Sequence, residues 1–192
     1  MGRPAIKVFS EVEYLALERK SSEKHFFYNG EIYAMAGASY EHNVIEDNLR
    51  LSIGNHLKGK SCRSFGCNLR MQVPGHSFYT YPDIMVICGD PVFRTDTFDT
   101  VTNPTILVEI LSEGTADYDK GLKFDLYRYF QSLQEYVLVD SRKQHVLVYS
   151  RNDNGSWTMV EYKEAADRFR LHSIDLELSL ADCYTGLNLP AA

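Results

Sequence analysis

Two stretches of this chain are almost free of polar side chains: Asp83-Ile84-Met85-Val86-Ile87-Cys88 and Thr105-Ile106-Leu107-Val108-Glu109-Ile110-Leu111. A strand with one solvated face alternates apolar and polar residues, whereas a strand covered on both faces reads as a continuous apolar run. These two segments therefore predict central strands with helices packed above and below. Residues from about 117 to 131 read as a helix, and 136–140 and 145–149 as further strands. Strand–helix–strand order after position 105 predicts a right-handed crossover and a parallel pair within a mixed sheet. The expected class is α/β, a mixed central β-sheet flanked by helices.

The rest of the chain fits that frame. Ser10 with Glu13 has capping-box spacing, with Val12, Leu15 and Ala16 on one helical face. Asn29-Gly30 between His25-Phe26-Phe27-Tyr28 and Glu31-Ile32-Tyr33-Ala34-Met35 predicts a hairpin with a type I′ turn. A second helix is expected after Ser39, with Ile45, Leu49, Ile53 and Leu57 at i+4 spacing and a stop at Gly59. Residues 69–73 and 157–162 alternate as half-buried strands do. No repeat, low-complexity tract or flexible linker divides the chain, so residues 1–192 are expected to form a single domain.

No apolar run approaches the roughly 18 residues of a membrane-spanning helix. Residues 1–6 hold no apolar leader, and Ile6 occupies the position where an acylation signal needs Ser or Thr. The expectation is a cytoplasmic protein with no membrane partner. Cys62, Cys67, Cys88 and Cys183 are then expected as reduced thiols, their spacing matching no zinc site.

Charge narrows the function. With 20 Lys+Arg against 26 Asp+Glu the net charge is −6, which argues against a tight, non-specific nucleic-acid binder. It leaves room for an enzyme that meets nucleic acid transiently. Glu109 interrupts an otherwise apolar run, and an ionised carboxylate there costs several kcal/mol (roughly, by transfer arguments) unless it is paired or bound to a cation. Taken singly, Asp83 reads as a turn residue at a strand start, and Glu109 as an ion-pair partner for a lysine of the next helix. Two acids on central strands of one sheet are also a common way to hold a hard divalent cation through oxygen.

Asp83 in Tyr81-Pro82-Asp83, with Glu109 in Val108-Glu109-Ile110-Leu111-Ser112, resembles the PD-(D/E)xK nuclease signature. The wider sequence resembles one branch of it, the Uma2 family (DUF820) of restriction-endonuclease-like proteins. The resemblance runs through Gly30-Glu31-Ile32-Tyr33-Ala34-Met35-Ala36-Gly37, His42, Pro104, Asp119-Lys120-Gly121-Leu122-Lys123-Phe124 with Tyr127, and Leu133-Gln134-Glu135-Tyr136-Val137-Leu138-Val139-Asp140. It implies a restriction-endonuclease-like fold, with Asp83, Glu109 and the carbonyl of Ile110 as ligands for Mg²⁺ or Mn²⁺. The parent signature puts its lysine two residues after the glutamate, where this chain has Leu111. In this family the lysine comes from the following helix, which matches Lys123, with Lys120 as the second candidate. Phe26 stands where many relatives carry a glutamate, and Asn68 where an aspartate is common. His42 is a possible accessory group near the phosphate or the metal.

The implied function is a metal-dependent endonuclease that hydrolyses DNA phosphodiester bonds, with Asp83, Glu109 and Lys123 as catalytic residues. DNA would be a transient partner, and cleavage of both strands suits a homodimer. The alternative is a catalytically inactive nuclease-fold module that binds DNA or a protein partner. Leu111, Phe26 and the acidic balance support it. Lys58, Lys60 and Arg63 read either as a phosphate-binding patch or as a solvated loop.

Overall fold

The two apolar runs become neighbouring strands. The computed structural model describes residues 7–95 and 97–191. In chain order the elements are α1 (Glu11–Glu18), β1 (His25–Tyr28), β2 (Glu31–Ala34), α2 (Tyr40–Leu57), β3 (Cys62–Gly66), β4 (Arg70–Gln72), β5 (Phe78–Thr80), β6 (Ile84–Cys88), β7 (Thr100–Val101) and β8 (Ile106–Leu111). A helical segment follows, made of α3 (Ala116–Tyr118), a π-helical turn (Asp119–Lys123) and α4 (Phe124–Tyr127). Then come β9 (Glu135–Asp140), β10 (Val146–Arg151), β11 (Trp157–Tyr162), β12 (Arg168–Leu171), β13 (Leu176–Ser179) and α5 (Leu180–Cys183). Among the described residues no helix is long and apolar enough to cross a membrane.

Six strands make the main sheet, in the order β11-β10-β9-β8-β6-β3. β8 is antiparallel to β6 and parallel to β9, so the sheet is mixed and the expected parallel pair is present. Alternation along β8 sorts its side chains between two cores. Ile106, Val108 and Ile110 pack with Ile45, Leu49 and Ile53 of α2. Leu107 and Leu111 pack with Leu126, Tyr127 and Phe130 on the opposite face. Glu109 belongs by parity to that second face, beneath the helical segment.

A second sheet, ordered β2-β1-β5-β4-β7, was not anticipated beyond its hairpin and β4. Its strands are short, and β5 and β7 carry too few residues to show alternation. α1 packs on this sheet through Tyr14, which stacks on Phe27 with ring centroids 5.0 Å apart. The capping box at Ser10 and Glu13 is present. The buried face differs from the expected one, however: Tyr14, Leu15 and Glu18 are inside, while Val12 is 70% exposed and Ala16 is also outside. Glu18 tolerates burial because it accepts hydrogen bonds from Tyr81 Oη (2.9 Å) and the His25 backbone N–H (3.0 Å).

Other expectations need correction. The helix expected to reach about residue 131 ends at Tyr127, and its centre is a π turn. Cys62 and Cys88 stand opposite each other in the antiparallel β3–β6 register and are joined by a disulfide, whereas Cys67 and Cys183 are free thiols. No strand was expected over residues 62–66, so the register that brings the two cysteines together was not foreseen. β12, β13 and α5 were also unforeseen. The reading of residues 1–6 lies outside the described residues.

The type I′ turn is present, with Asn29 at φ 47° and Gly30 at φ 93°. A Cβ on Gly30 would also stand 2.4 Å from Val8 Cγ1, whereas Gly75, at φ 76°, has nothing within 4 Å. Gly75→Ala should cost about 1 kcal/mol, for the left-handed backbone only. Gly30→Ala should cost more, about 2 kcal/mol or above, because Val8 must also move. Chemical denaturation of both variants checks the order, and an equal loss would contradict it.

Candidate active site

The polar groups converge where β6 begins and β8 ends. Ile84 pairs with Val108 across the two strands, so the next step of the register sets Asp83 beside Glu109. Asp83 Oδ2 accepts a hydrogen bond from the backbone N–H of Ile110 at 2.7 Å, which locks the carboxylate to β8. The same oxygen lies 3.2 Å from His42 Nε2. His42 sits in the first turn of α2, three residues beyond the N-cap Ser39 that accepts its backbone N–H. The helix thus brings its N-terminal end to the strand junction.

Glu109 is 3% exposed. Its Oε1 accepts from Tyr127 Oη at 2.7 Å, and its Oε2 lies 3.0 Å from Lys123 Nζ. Lys123 Nζ also meets Asp119 Oδ1 at 2.7 Å and lies 5.6 Å from the centre of the Tyr118 ring. Asp119, Lys123 and Tyr127 are successive i, i+4 positions, and all three face Glu109's side of the sheet. π turns of this kind often appear at functional sites, where they re-aim a side chain. Asp119 is in turn fixed from below, its backbone carbonyl accepting from Tyr136 Oη at 2.9 Å.

The candidate residues are therefore not gathered equally. Asp83, Glu109, Ile110, Lys123 and His42 meet in one place. Lys120 is exposed and takes no part in the Glu109 ion pair. Leu111, at the position where the parent signature has lysine, is 1% exposed within the apolar core. Phe26 stacks on Tyr33 and leans on Tyr118, so an aromatic ring borders the site on that side. Asn68 Oδ1 accepts a hydrogen bond from Lys24 Nζ at 3.2 Å.

Sequence reading missed two carboxylates. Asp119 lies in a segment that carries the family resemblance, and its i, i+4 spacing to Lys123 is that of a helical ion pair. Glu46 lies one turn beyond His42 on α2, is nearly buried, and pairs loosely with Arg50 at 3.5 Å. It directly follows Ile45, off the i+4 series, and no local pattern marks it as buried. Among the described residues, His42 Nδ1 and Tyr118 Oη are buried at the site without a hydrogen-bond partner, and Asp119 Oδ1 has only the Lys123 ammonium.

Electrostatics sets the state of the cluster. Burial pushes the Glu109 carboxyl up to about 8; Lys123 pulls it down, while Asp83 and Asp119 push it further up. Burial works against the Lys123 ammonium, but Glu109 and Asp119 outweigh it and hold its pKa above the ordinary lysine value. Burial lowers the His42 imidazole, and the hydrogen bond and charge of Asp83 then carry it above its usual value. Burial and the charge of Asp83 raise Glu46. The common cause is an excess of buried carboxylates over cations: Glu109 and Asp119 share a single ammonium.

That deficit of positive charge is what a divalent cation would fill. Among the described residues no three His, Cys, Asp or Glu side chains form a ready metal cage. Mg²⁺ seldom needs one, since it keeps several waters and takes one or two carboxylates. Two carboxylates and a nearby backbone carbonyl are hard oxygen donors of the right kind, so the residues fit such an ion.

The chain matches the family model Uma2, described as "Putative restriction endonuclease", over residues 12–182. It is 40% identical over 178 residues to the uncharacterized protein slr1290 of Synechocystis sp. (strain ATCC 27184 / PCC 6803 / Kazusa), a match covering 93% of this chain and 92% of that protein. It is 35% identical over 155 residues to the uncharacterized protein sll1609 of the same organism, covering 81% and 88%. Its fold is similar to the crystal structure of "a putative nuclease belonging to DUF820" from Anabaena variabilis ATCC 29413, with a TM-score of 0.73. That match has 20% identity and covers 91% of this chain and 96% of the other, a likeness of fold.

The raised Glu109 carboxyl has a consequence for stability without metal. Between the ordinary carboxylate value near 4.5 and about 8, the folded protein binds a proton here that the unfolded chain has released. Stability from this group therefore falls as pH rises through that window. Glu109→Gln has no proton to lose, so in chelator the variant should gain on wild type by roughly a few kcal/mol more at pH 8 than at pH 5. Urea unfolding at the two pH values measures it. An equal difference at both would place the buried proton elsewhere.

Proposed function

The chain belongs to the Uma2 family of restriction-endonuclease-like proteins, and from that premise we propose that it is a metal-dependent endonuclease hydrolysing DNA phosphodiester bonds. The observation that carries the reading is the placement of two carboxylates, Asp83 and Glu109, side by side where β6 begins and β8 ends, with the Lys123 ammonium 3.0 Å from Glu109. Asp83, Glu109 and the Ile110 carbonyl would hold Mg²⁺ or Mn²⁺. When bound, such an ion lowers the pKa of a coordinated water and offsets charge on the phosphoryl oxygens.

The chain's own residues supply the rest. Asp83 is held in place by the Ile110 N–H, so it needs no reorganisation to act as a ligand. Glu109 is oriented by Tyr127 from one side and Lys123 from the other. Lys123, kept protonated by two carboxylates, serves as a fixed positive charge beside the attacking water and the phosphoryl oxygens. It stabilises charge rather than removing a proton. His42 positions Asp83 through its Nε2 contact. Cutting both strands of a duplex with one site per chain calls for two chains, so a homodimer forms part of this reading.

Plasmid nicking with Mn²⁺ tests it. Asp83→Asn, Glu109→Gln and Lys123→Ala should each lose about 100-fold or more in rate, with Lys120→Ala close to wild type. Equal nicking by wild type and Asp83→Asn would indicate a contaminant and contradict the reading.

A further inference from the structure

Away from the carboxylates, the outer edge of the main sheet carries a different chemistry. β3 is the terminal strand of the main sheet, so among the described residues no strand pairs with its outer backbone edge. Between β3 and the C-terminal end of α2 lies an open concavity of about 530 Å³, lined in part by Gly54, Lys58, Lys60, Arg63 and Ser64. No carboxylate lines it. Lys58, Lys60 and Arg63 have no carboxylate partner among the described residues, and Lys60 Nζ approaches only the His56 imidazole, at 2.7 Å. Three uncompensated cations around one hollow are notable in a chain of net charge −6.

The strand that borders the concavity ends near Asp83. At the other end of β3, the Arg50 guanidinium lies against Gly66, with its Cζ 3.0 Å from where a Cβ would be. Gly66 pairs with Ile84, the residue after Asp83. From Cys62 to Gly66 the strand rises about 13 Å, close to four steps of a DNA strand at about 3.4 Å each. Cations thus occur at both ends of one edge, and the nearer end adjoins the carboxylates.

We propose that the edge formed by β3 and the end of α2 is a docking track for the DNA phosphate backbone, with Lys58, Lys60 and Arg63 holding phosphates several nucleotides from the scissile bond. This rests on the nuclease reading for the identity of the polymer. The acidic net charge limits affinity elsewhere on the surface, so contact is concentrated along the track and the chain makes few phosphate contacts in all.

The test is binding, measured separately from cleavage. Fluorescence anisotropy of a short labelled duplex, in chelator and over a range of salt, compares wild type with Lys58→Gln/Lys60→Gln/Arg63→Gln. A control of equal charge change, Lys20→Gln/Lys143→Gln/Lys163→Gln, removes cations outside the groove. Circular dichroism confirms that both fold. The groove variant should bind roughly tenfold or more weakly at low salt, with the slope of log K against log salt reduced by about 2 to 3. The control should stay close to wild type. A wild-type slope in the groove variant, an equal loss in both variants, or no duplex binding by wild type would overturn the proposal. Wild type that nicks DNA beside a groove variant with unchanged slope would leave the nuclease reading standing and the track refuted. A shifted slope beside wild type that never nicks would do the reverse.

Discussion

The structure turns on one buried carboxylate. Glu109 sits inside a strand with neighbours on both sides, β6 and β9, where every other side chain is apolar. An ion there is tolerable only if the surroundings are built to receive it. Lys123 and Tyr127 supply the partners, and they reach Glu109 because the helical segment crosses the face of β8 to which Glu109 points. The compensation is incomplete: two acids, Glu109 and Asp119, share one ammonium, and Asp83 adds its charge from the next strand. A fold that needed only stability would gain from a hydrophobic residue at this position. Retaining the acid makes sense where a cation completes the site.

Most of the remaining architecture keeps that geometry in place. The antiparallel β6–β8 pair brings Asp83 beside Ile110, whose N–H fixes it. The parallel β8–β9 pair requires a crossover, and the crossover carries Lys123. The π turn in the crossover directs Asp119, Lys123 and Tyr127 to one side, leaving Lys120 in solvent. α2, held on the opposite face by Ile45, Leu49 and Ile53, brings His42 to the same junction. The second sheet and α1 add the aromatic border at Phe26.

What was legible in the sequence follows from how far each signal extends. β6 and β8 were readable because burial on both faces writes itself into consecutive residues. The Asn29-Gly30 turn was readable because its backbone demands left-handed residues. Asp83 and Glu109 stood out as charges where charge is costly, and Lys123 came from the family resemblance. The missed features depend on tertiary placement. β3, β5 and β7 are too short or too mixed to show periodicity, so the cysteine pair across β3 and β6 was invisible. The buried face of α1 was misjudged because Glu18 is satisfied by groups distant in sequence. Glu46 reads as an ordinary surface acid until its neighbours are known, and a π turn has no local pattern that separates it from α-helix.

A divalent cation is proposed to fill the charge deficit around Asp83 and Glu109. Calorimetric titration of Mn²⁺ into the metal-free protein addresses it without depending on substrate or turnover. The account predicts one saturable site per chain, lost in Asp83→Asn and in Glu109→Gln while both variants keep the wild-type circular dichroism spectrum. Undiminished Mn²⁺ binding by the folded Asp83→Asn and Glu109→Gln proteins, or no binding by wild type, would contradict it.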